Sequence, residues 1–303
     1  MKLSELGTRL EGSSPDLIDC YCPHSLLHEG SMNCPDCYSA HTTRLQRTTK
    51  LSYAMFRCRD CHRTFNERTG TPFNFIEVPT DIVFQVLLCR LRYKLSFRDI
   101  AEFFLLRGFA FTHETVRDWE KRFAAIFAQQ LRAKRQGKVG KIWFVDETYI
   151  RVKGQWCYLY RGIDEDGDLV DVRLSEKRDM EAAKAFFAGA HEVAQHAPQR
   201  VATDGHSSYP RAIEEELGED VKHEVRDCRG NPIEQSHRGI KQRYYPMLGF
   251  GAIESAKRFC QAFDEVKQFL RPRARLAELV SLSKQREQFV NRVNELQDLF
   301  QAI

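Results

Sequence analysis

Hydrophobic positions change period along the chain, and the changes mark its elements. From Thr80 the run TDIVFQVLLCRLRYKLSFRDIAEFFLLRGFAFTHETVRDWEKRFAAIFAQQL repeats apolar residues every three to four positions, the spacing of amphipathic helices. Three helices are predicted. Thr80 caps the first. Ser96 caps the second, which carries Ile100, Phe103 and Phe104, and Gly108 breaks it. Thr112 caps the third, which carries Val116, Trp119 and Phe123. From Lys141 the pattern shifts to strands: KIWFVDETYIRV, QWCYLYRGID and DLVDVRLS, the last two joined by the turn Asp164-Glu-Asp-Gly167. A helix over 179–194 with Met180, Ala183, Phe186 and Phe187 on its apolar face follows, then a strand over 200–203, a helix over 207–217, a strand over 222–226 and a long helix from Pro232. Three antiparallel strands and then alternating helices and strands give the order of an α/β ribonuclease H-like fold, a mixed sheet with flanking helices.

The cysteines add a module ahead of these elements. The N-terminus MKLSELGTRLEGSSPDL has no apolar core of a signal peptide, and no apolar run approaches the ~18 residues of a membrane span. A reducing cytoplasm is therefore expected, where thiolates stay free for metals. Cys34-Pro-Asp-Cys37 and Cys58-Arg-Asp-Cys61, with 20 residues between the pairs, have zinc-ribbon spacing: two knuckles of two thiolates complete the tetrahedral shell of one structural zinc ion. The residues between them read as a hairpin over 43–50 and 52–57, with Tyr53 and Phe56 as its apolar contacts. Cys20, Cys22, His24 and His28 have irregular spacing and leave a second metal site open, while Cys89, Cys157, Cys228 and Cys260 stand singly, as small core residues do. Four regions result: a zinc-ribbon region 1–78, a helix-turn-helix region 79–138, a ribonuclease H-like catalytic domain 139–271 and a helical tail 272–303. In the tail, Phe289, Val293, Leu296, Phe300 and Ile303 form a short seam that suits either a second copy or the chain's own core.

A net charge of +4 is too small to imply nucleic acid by itself. Its distribution says more. Basic residues gather in 132–141, which also reads as a linker, and in 238–243; such runs are solvated faces or phosphate contacts. The third helix of the bundle would expose His113, Glu114, Arg117 and Lys121, which suits the recognition helix of a helix-turn-helix reaching into a major groove, or the outer face of a plain bundle. The neighbouring zinc module favours DNA. Within the mixed domain, Asp146 stands inside an apolar strand, Asp204 ends a strand before a glycine and Glu234 opens a helix. Carboxylates at strand tips and a helix start can converge at one sheet edge, where they require a cation; hard oxygen donors suit two magnesium or manganese ions and in-line phosphoryl displacement.

The wording of these segments is more specific than three acids. Trp143-Phe-Val-Asp-Glu-Thr-Tyr-Ile-Arg-Val-Lys-Gly154, Trp156-Cys-Tyr-Leu-Tyr-Arg161, Thr203-Asp-Gly205, Glu234-Gln-Ser-His-Arg-Gly-Ile-Lys241 and Pro246-Met-Leu-Gly-Phe250 resemble the DDE transposases of insertion-sequence family six, over about Lys141 to Arg271. The resemblance implies an integrase-like core with Asp146, Asp204 and Glu234 as the metal-binding triad. It implies that Lys241, two helical turns beyond Glu234, contacts DNA. It further implies nicking of element ends, transfer of the freed 3′-hydroxyl to target DNA, replicative cointegrate formation and an oligomer that joins two terminal inverted repeats, on the nucleoid and with no membrane partner. Ser236 departs from the aspartate common in that motif, and a zinc ribbon occurs in only part of the family. His237 and Arg238 suit phosphate binding, ligand orientation or a helix surface, and Tyr149 and Trp156 read as core aromatics.

Overall fold

The computed structural model describes residues 32–226, 232–272, 275 and 278–303, so Cys20, Cys22, His24, His28 and Cys228 lie outside the described residues. Two compact units divide at Gly70. In the first, β1 (Thr42–Thr48), β2 (Ala54–Cys58) and β3 (Thr64–Asn66) form an antiparallel sheet in the order β1-β2-β3. The third strand was not anticipated from sequence, because three residues are too few to show a period. The core is small: Cys34, Phe56, Cys58 and Phe65, with the two rings stacked at 5.6 Å. Tyr53 lies at the rim of this unit, half-buried under the Arg68 guanidinium at 4.5 Å.

The second unit opens with α1 (Thr80–Leu91), α2 (Phe97–Leu105) and α3 (His113–Lys134). Ser96 and Asp99 form a reciprocal capping box on α2, and the Thr112 hydroxyl accepts from the Thr115 amide on α3, so both predicted caps are present. The predicted cap of α1 is displaced by one residue. Pro79 occupies the cap position and Thr80 is already helical, because the proline ring fixes an extended entry into the first turn. Phe103 is partly solvent-exposed rather than core, while Ile100 and Phe104 are buried. Arg90 of α1 and Glu120 of α3 form a buried ion pair at 2.7 Å inside the bundle.

The sheet that follows comprises β4 (Ile142–Val152), β5 (Gln155–Asp164), β6 (Leu169–Ser175), β7 (Arg200–Thr203) and β8 (Lys222–Val225), ordered β6-β5-β4-β7-β8. The first three pair antiparallel and β4-β7-β8 pair parallel, the ribonuclease H-like arrangement. Gly167 closes the β5–β6 turn with φ 77°, a conformation that favours glycine. One face packs on α4 (Met180–Ala194) and α5 (Tyr209–Leu217) through Trp143, Val145, Tyr160, Phe186 and Phe187. The other face packs Ile150, Val152, Leu159, Val172 and Leu174 into a core shared with the α1–α3 bundle, α6 (Pro232–Tyr244), α7 (Ile253–Phe269) and α8 (Leu282–Gln301).

Three details differ from the sequence reading. The basic run 132–141 is solvated only in part: Lys134, Lys138 and Lys141 are exposed, but Arg132 pairs with Asp171, and Arg135 grips Glu265 through two contacts of 2.7 and 2.8 Å, tying the end of α3 to β6 and α7. Tyr149 and Trp156 are not core aromatics but are 52% and 57% exposed, because the β4–β5 hairpin runs out past the helices that cover the sheet. The tail seam packs on its own chain: Leu296 and Phe300 are buried in the shared core, with Phe289, Val293 and Ile303 beside them. Among the described residues no helix is long and apolar enough to cross a membrane.

Candidate active site

Asp146 lies in the middle of β4, with Phe144, Ile163, Ala202 and Ile233 forming a small apolar cluster beside it on the same face. It is 8% exposed. Its cross-strand neighbour on β5 is Arg161, yet that guanidinium makes a bidentate pair with Asp264 of α7, at 2.7 and 2.9 Å. The cation in register with Asp146 is thus committed elsewhere. Burial, with repulsion from Glu147, Asp204 and Glu234 added, raises the Asp146 pKa to about 7.

Asp204 follows the last residue of β7, where the parallel ladder ends and the chain turns at Gly205. Gly205 has φ 83°, and a Cβ there would come within 2.6 Å of Val225, so this turn requires glycine on both counts. One Asp204 oxygen accepts from the His206 amide at 3.0 Å and the other from Arg178 at 2.9 Å. Glu234 stands in the first turn of α6. Carboxylate oxygens of Asp146, Glu147 and Asp204 lie within 4.8 Å of one another, and so do ligand atoms of Asp146, Glu234 and His237. Asp146 belongs to both groups. The fold therefore brings together all three predicted acids, with Asp146 at the centre.

Sequence reasoning missed two members of this constellation and underread a third. Glu147 follows Asp146 in an alternating strand and so reads as facing away, but Arg178, from the loop between β6 and α4, bonds both Glu147 (3.1 and 3.2 Å) and Asp204. No local signal marks Arg178. His237 is fully buried, one turn after Glu234, with Nδ1 3.8 Å from an Asp146 oxygen and no hydrogen-bond partner on either ring nitrogen. Burial, reinforced by Arg161, Lys241 and Lys267, lowers its pKa and keeps the ring neutral. A repelled carboxylate, three further acids and an unpartnered imidazole form a donor set short of positive charge. That chemistry fits a divalent cation.

The predicted DNA contacts fall in two places. Lys241 Nζ lies 3.9 Å from a Glu234 oxygen, and Lys241 and Arg238 line a cavity of about 350 Å³ together with Glu234, Gln235, Gln242 and Tyr245. His113, Arg117 and Lys121 are on α3 and take no part in the acidic cluster. Arg117 and His113 are drawn to Glu114, at 2.7 and 3.1 Å.

In the first unit the four predicted cysteines converge, with Cys34–Cys61 and Cys37–Cys58 sulfur separations of 3.6 and 3.5 Å. Four sulfurs about 2.3 Å from one tetrahedral zinc ion would stand ~3.8 Å apart, so the cluster fits that ion. The two turns are alike: each closes on a left-handed residue after its second cysteine, Tyr38 (φ 58°) and His62 (φ 61°). The Cys61 amide donates to the Cys58 sulfur and is the main cause of lowering that thiol to about 7.

A family model described as a DDE domain matches residues 140–272. The transposase for insertion sequence-like element IS431mec of Staphylococcus aureus is 37% identical to this chain over 177 residues, covering 56% of the chain and 77% of the relative. The transposase for insertion sequence element IS257 in transposon Tn4003, also from Staphylococcus aureus, gives the same identity and the same coverage of 56% and 77%. Among solved structures, the HTLV-2 integrase catalytic core domain in complex with magnesium is similar at 15% identity and a TM-score of 0.33, covering 51% of this chain and 99% of that one.

Proposed function

The chain belongs to the DDE transposases of insertion-sequence family six, and on that premise we propose that Asp146, Asp204 and Glu234 are the catalytic carboxylates of DNA transposition, holding two magnesium or manganese ions. The observation that carries this reading is the position of Asp146: buried, common to two groups of potential ligands, and opposite an arginine already bound to Asp264. Such ions supply charge stabilisation at the attacking and leaving oxygens of an in-line phosphoryl displacement.

The chain's own residues do the rest. The His206 amide and Arg178 fix the rotamer of Asp204, and Arg178 supplies the positive charge that Glu147 and Asp204 share. His237 offers a neutral nitrogen beside Asp146. Arg238 and Lys241, lining the cavity next to Glu234, receive backbone phosphates. In the first reaction water attacks the phosphodiester at the element end and liberates a 3′-hydroxyl. In the second, that hydroxyl attacks a target phosphodiester, forming one phosphorus–oxygen bond as the target's 3′-oxygen leaves. We propose that replication across the joined product gives a cointegrate.

Cys34, Cys37, Cys58 and Cys61 would hold one structural zinc ion through their four thiolates. The ribbon and the α1–α3 bundle select the terminal inverted repeats, with His113, Arg117 and Lys121 of α3 facing the duplex, while residues 139–271 carry out the chemistry on those ends and on target DNA. A homodimer or larger assembly holds two ends at once, in the cytoplasm on the nucleoid. The test is to mix purified protein, manganese, labelled element-end duplex and a plasmid. End-to-plasmid joining is expected, and its loss in Asp146→Ala, Asp204→Ala and Glu234→Gln. Binding of correct ends with no joined product would overturn the reading.

A further inference from the structure

The β4–β5 hairpin carries an aromatic face that the reaction described above does not use. Cross-strand register pairs Glu147 with Tyr160, Tyr149 with Tyr158 and Arg151 with Trp156, so these six side chains lie in a row on one face of the sheet. Tyr149 touches both Trp156 and Tyr158, with ring centroids 6.2 and 5.4 Å apart, and the Arg151 guanidinium lies 5.9 Å from the Trp156 ring. At a rise of about 3.3 Å per residue, Tyr149 is about 10 Å and Arg151 about 17 Å from Asp146 along the strand. The row starts where Arg178 grips Glu147 and Asp204 and ends in solvent at Lys153 and Gly154.

The opposite face of the same hairpin is fixed. Ile150, Val152 and Cys157 are buried in the shared core. The tip is pinned by bonds from Arg151 N to the Tyr244 hydroxyl (2.7 Å), from Lys153 N to Phe250 O (2.8 Å) and from Phe250 N to Arg151 O (2.9 Å). The exposed rings therefore stand on a rigid support, unlike aromatics on a mobile loop. Trp119 and Trp143 are 4% and 0% exposed, which leaves Trp156 as the single tryptophan open to a ligand. Planar rings with Arg151 at the outer end and Arg178 at the inner end, where the row meets Glu147 of the acidic cluster, suit the faces of unpaired bases and the phosphates between them. An aliphatic protein partner would gain little from the arginine in the row.

We propose that this face is a stacking platform for unpaired bases of the single DNA strand whose backbone enters the acidic cluster. The inference rests on the transposase reading and names the form of DNA taken at that site. The experiment titrates the intrinsic fluorescence of the full chain with single-stranded oligothymidylate and with an abasic phosphodiester strand of equal length. Quenching by the first strand alone is expected. Trp156→Ala and Tyr149→Ala should each weaken oligothymidylate binding by about 5- to 150-fold while leaving the abasic strand unaffected. Affinities of the wild type and all variants for both strands are read from the anisotropy of an end-label on the strand, which does not depend on Trp156. By that measure Trp156→Phe should lose the intrinsic fluorescence change yet keep most of the affinity. Equal binding of the two strands, or alanine variants that bind oligothymidylate as the wild type does, would overturn the platform and leave transposition untouched. Failure to bind any single or duplex DNA would remove both readings.

Discussion

Asp146 faces Arg161 across the ladder but draws no charge from it, and this mismatch makes metal-free protein sensitive to pH. Its folded pKa of about 7 lies above the ordinary carboxylate value. The protonated group therefore favours the folded state below about pH 4, and this contribution is lost as pH rises through 7. Asp146→Asn should flatten that slope, raise stability in chelator at pH 8 by about 2–4 kcal/mol, remove the stabilisation conferred by manganese and abolish joining; thermal melts with and without metal read the first three effects. Arg178→Ala has the opposite sign. Stripped of the cation they share, Glu147 and Asp204 should cost about 1–3 kcal/mol of metal-free stability, a deficit that millimolar magnesium narrows. Equal loss with and without magnesium would count against the countercharge role. The convergence of Asp146, Asp204 and Glu234 was legible because each acid carries a local mark: an apolar strand, a glycine turn, a helix start. Arg178 and His237 were not, since an arginine in a polar loop and a histidine in a helix look alike whether they face solvent or a buried carboxylate.

Among the elements, the ribbon has the least apolar core, with two cysteines among its four fully enclosed residues. Cys34→Ser should release zinc worth ~10 kcal/mol to such a module and unfold residues 32–70, while the larger unit, with its own core, keeps its melting transition; metal analysis and limited proteolysis distinguish the two. For α3, Lys121→Ala should weaken binding to all duplexes alike and reduce the salt dependence by roughly one counterion. A change confined to one base position would assign Lys121 to base reading instead. Helix caps were readable where a side chain makes the bond, as at Ser96 and Thr112, and misplaced where proline geometry sets the start, as before Thr80. The β4–β5 strands were legible from alternation, but which residues of the hairpin are covered depends on where α4 and α5 stop. No two-residue period contains that information.

At the scale of the larger unit, one aromatic nest joins distant segments. The Phe300 ring sits 5.2–5.8 Å from the rings of Phe73, Phe84, Phe123 and Phe127, and is fully buried. Phe300→Ala should therefore cost about 3–5 kcal/mol by urea denaturation, without altering zinc content. The seam's spacing was legible in the sequence, but its partner was not, because a heptad stripe fits a second copy and the chain's own bundle equally well. Translation runs in one direction, so α1 to α3 leave the ribosome long before the ring that completes the core beneath them. A message cut short before Phe300 yields a chain with a hole under α1 and α3. Such truncated chains should be cleared by proteolysis rather than accumulate as folded protein.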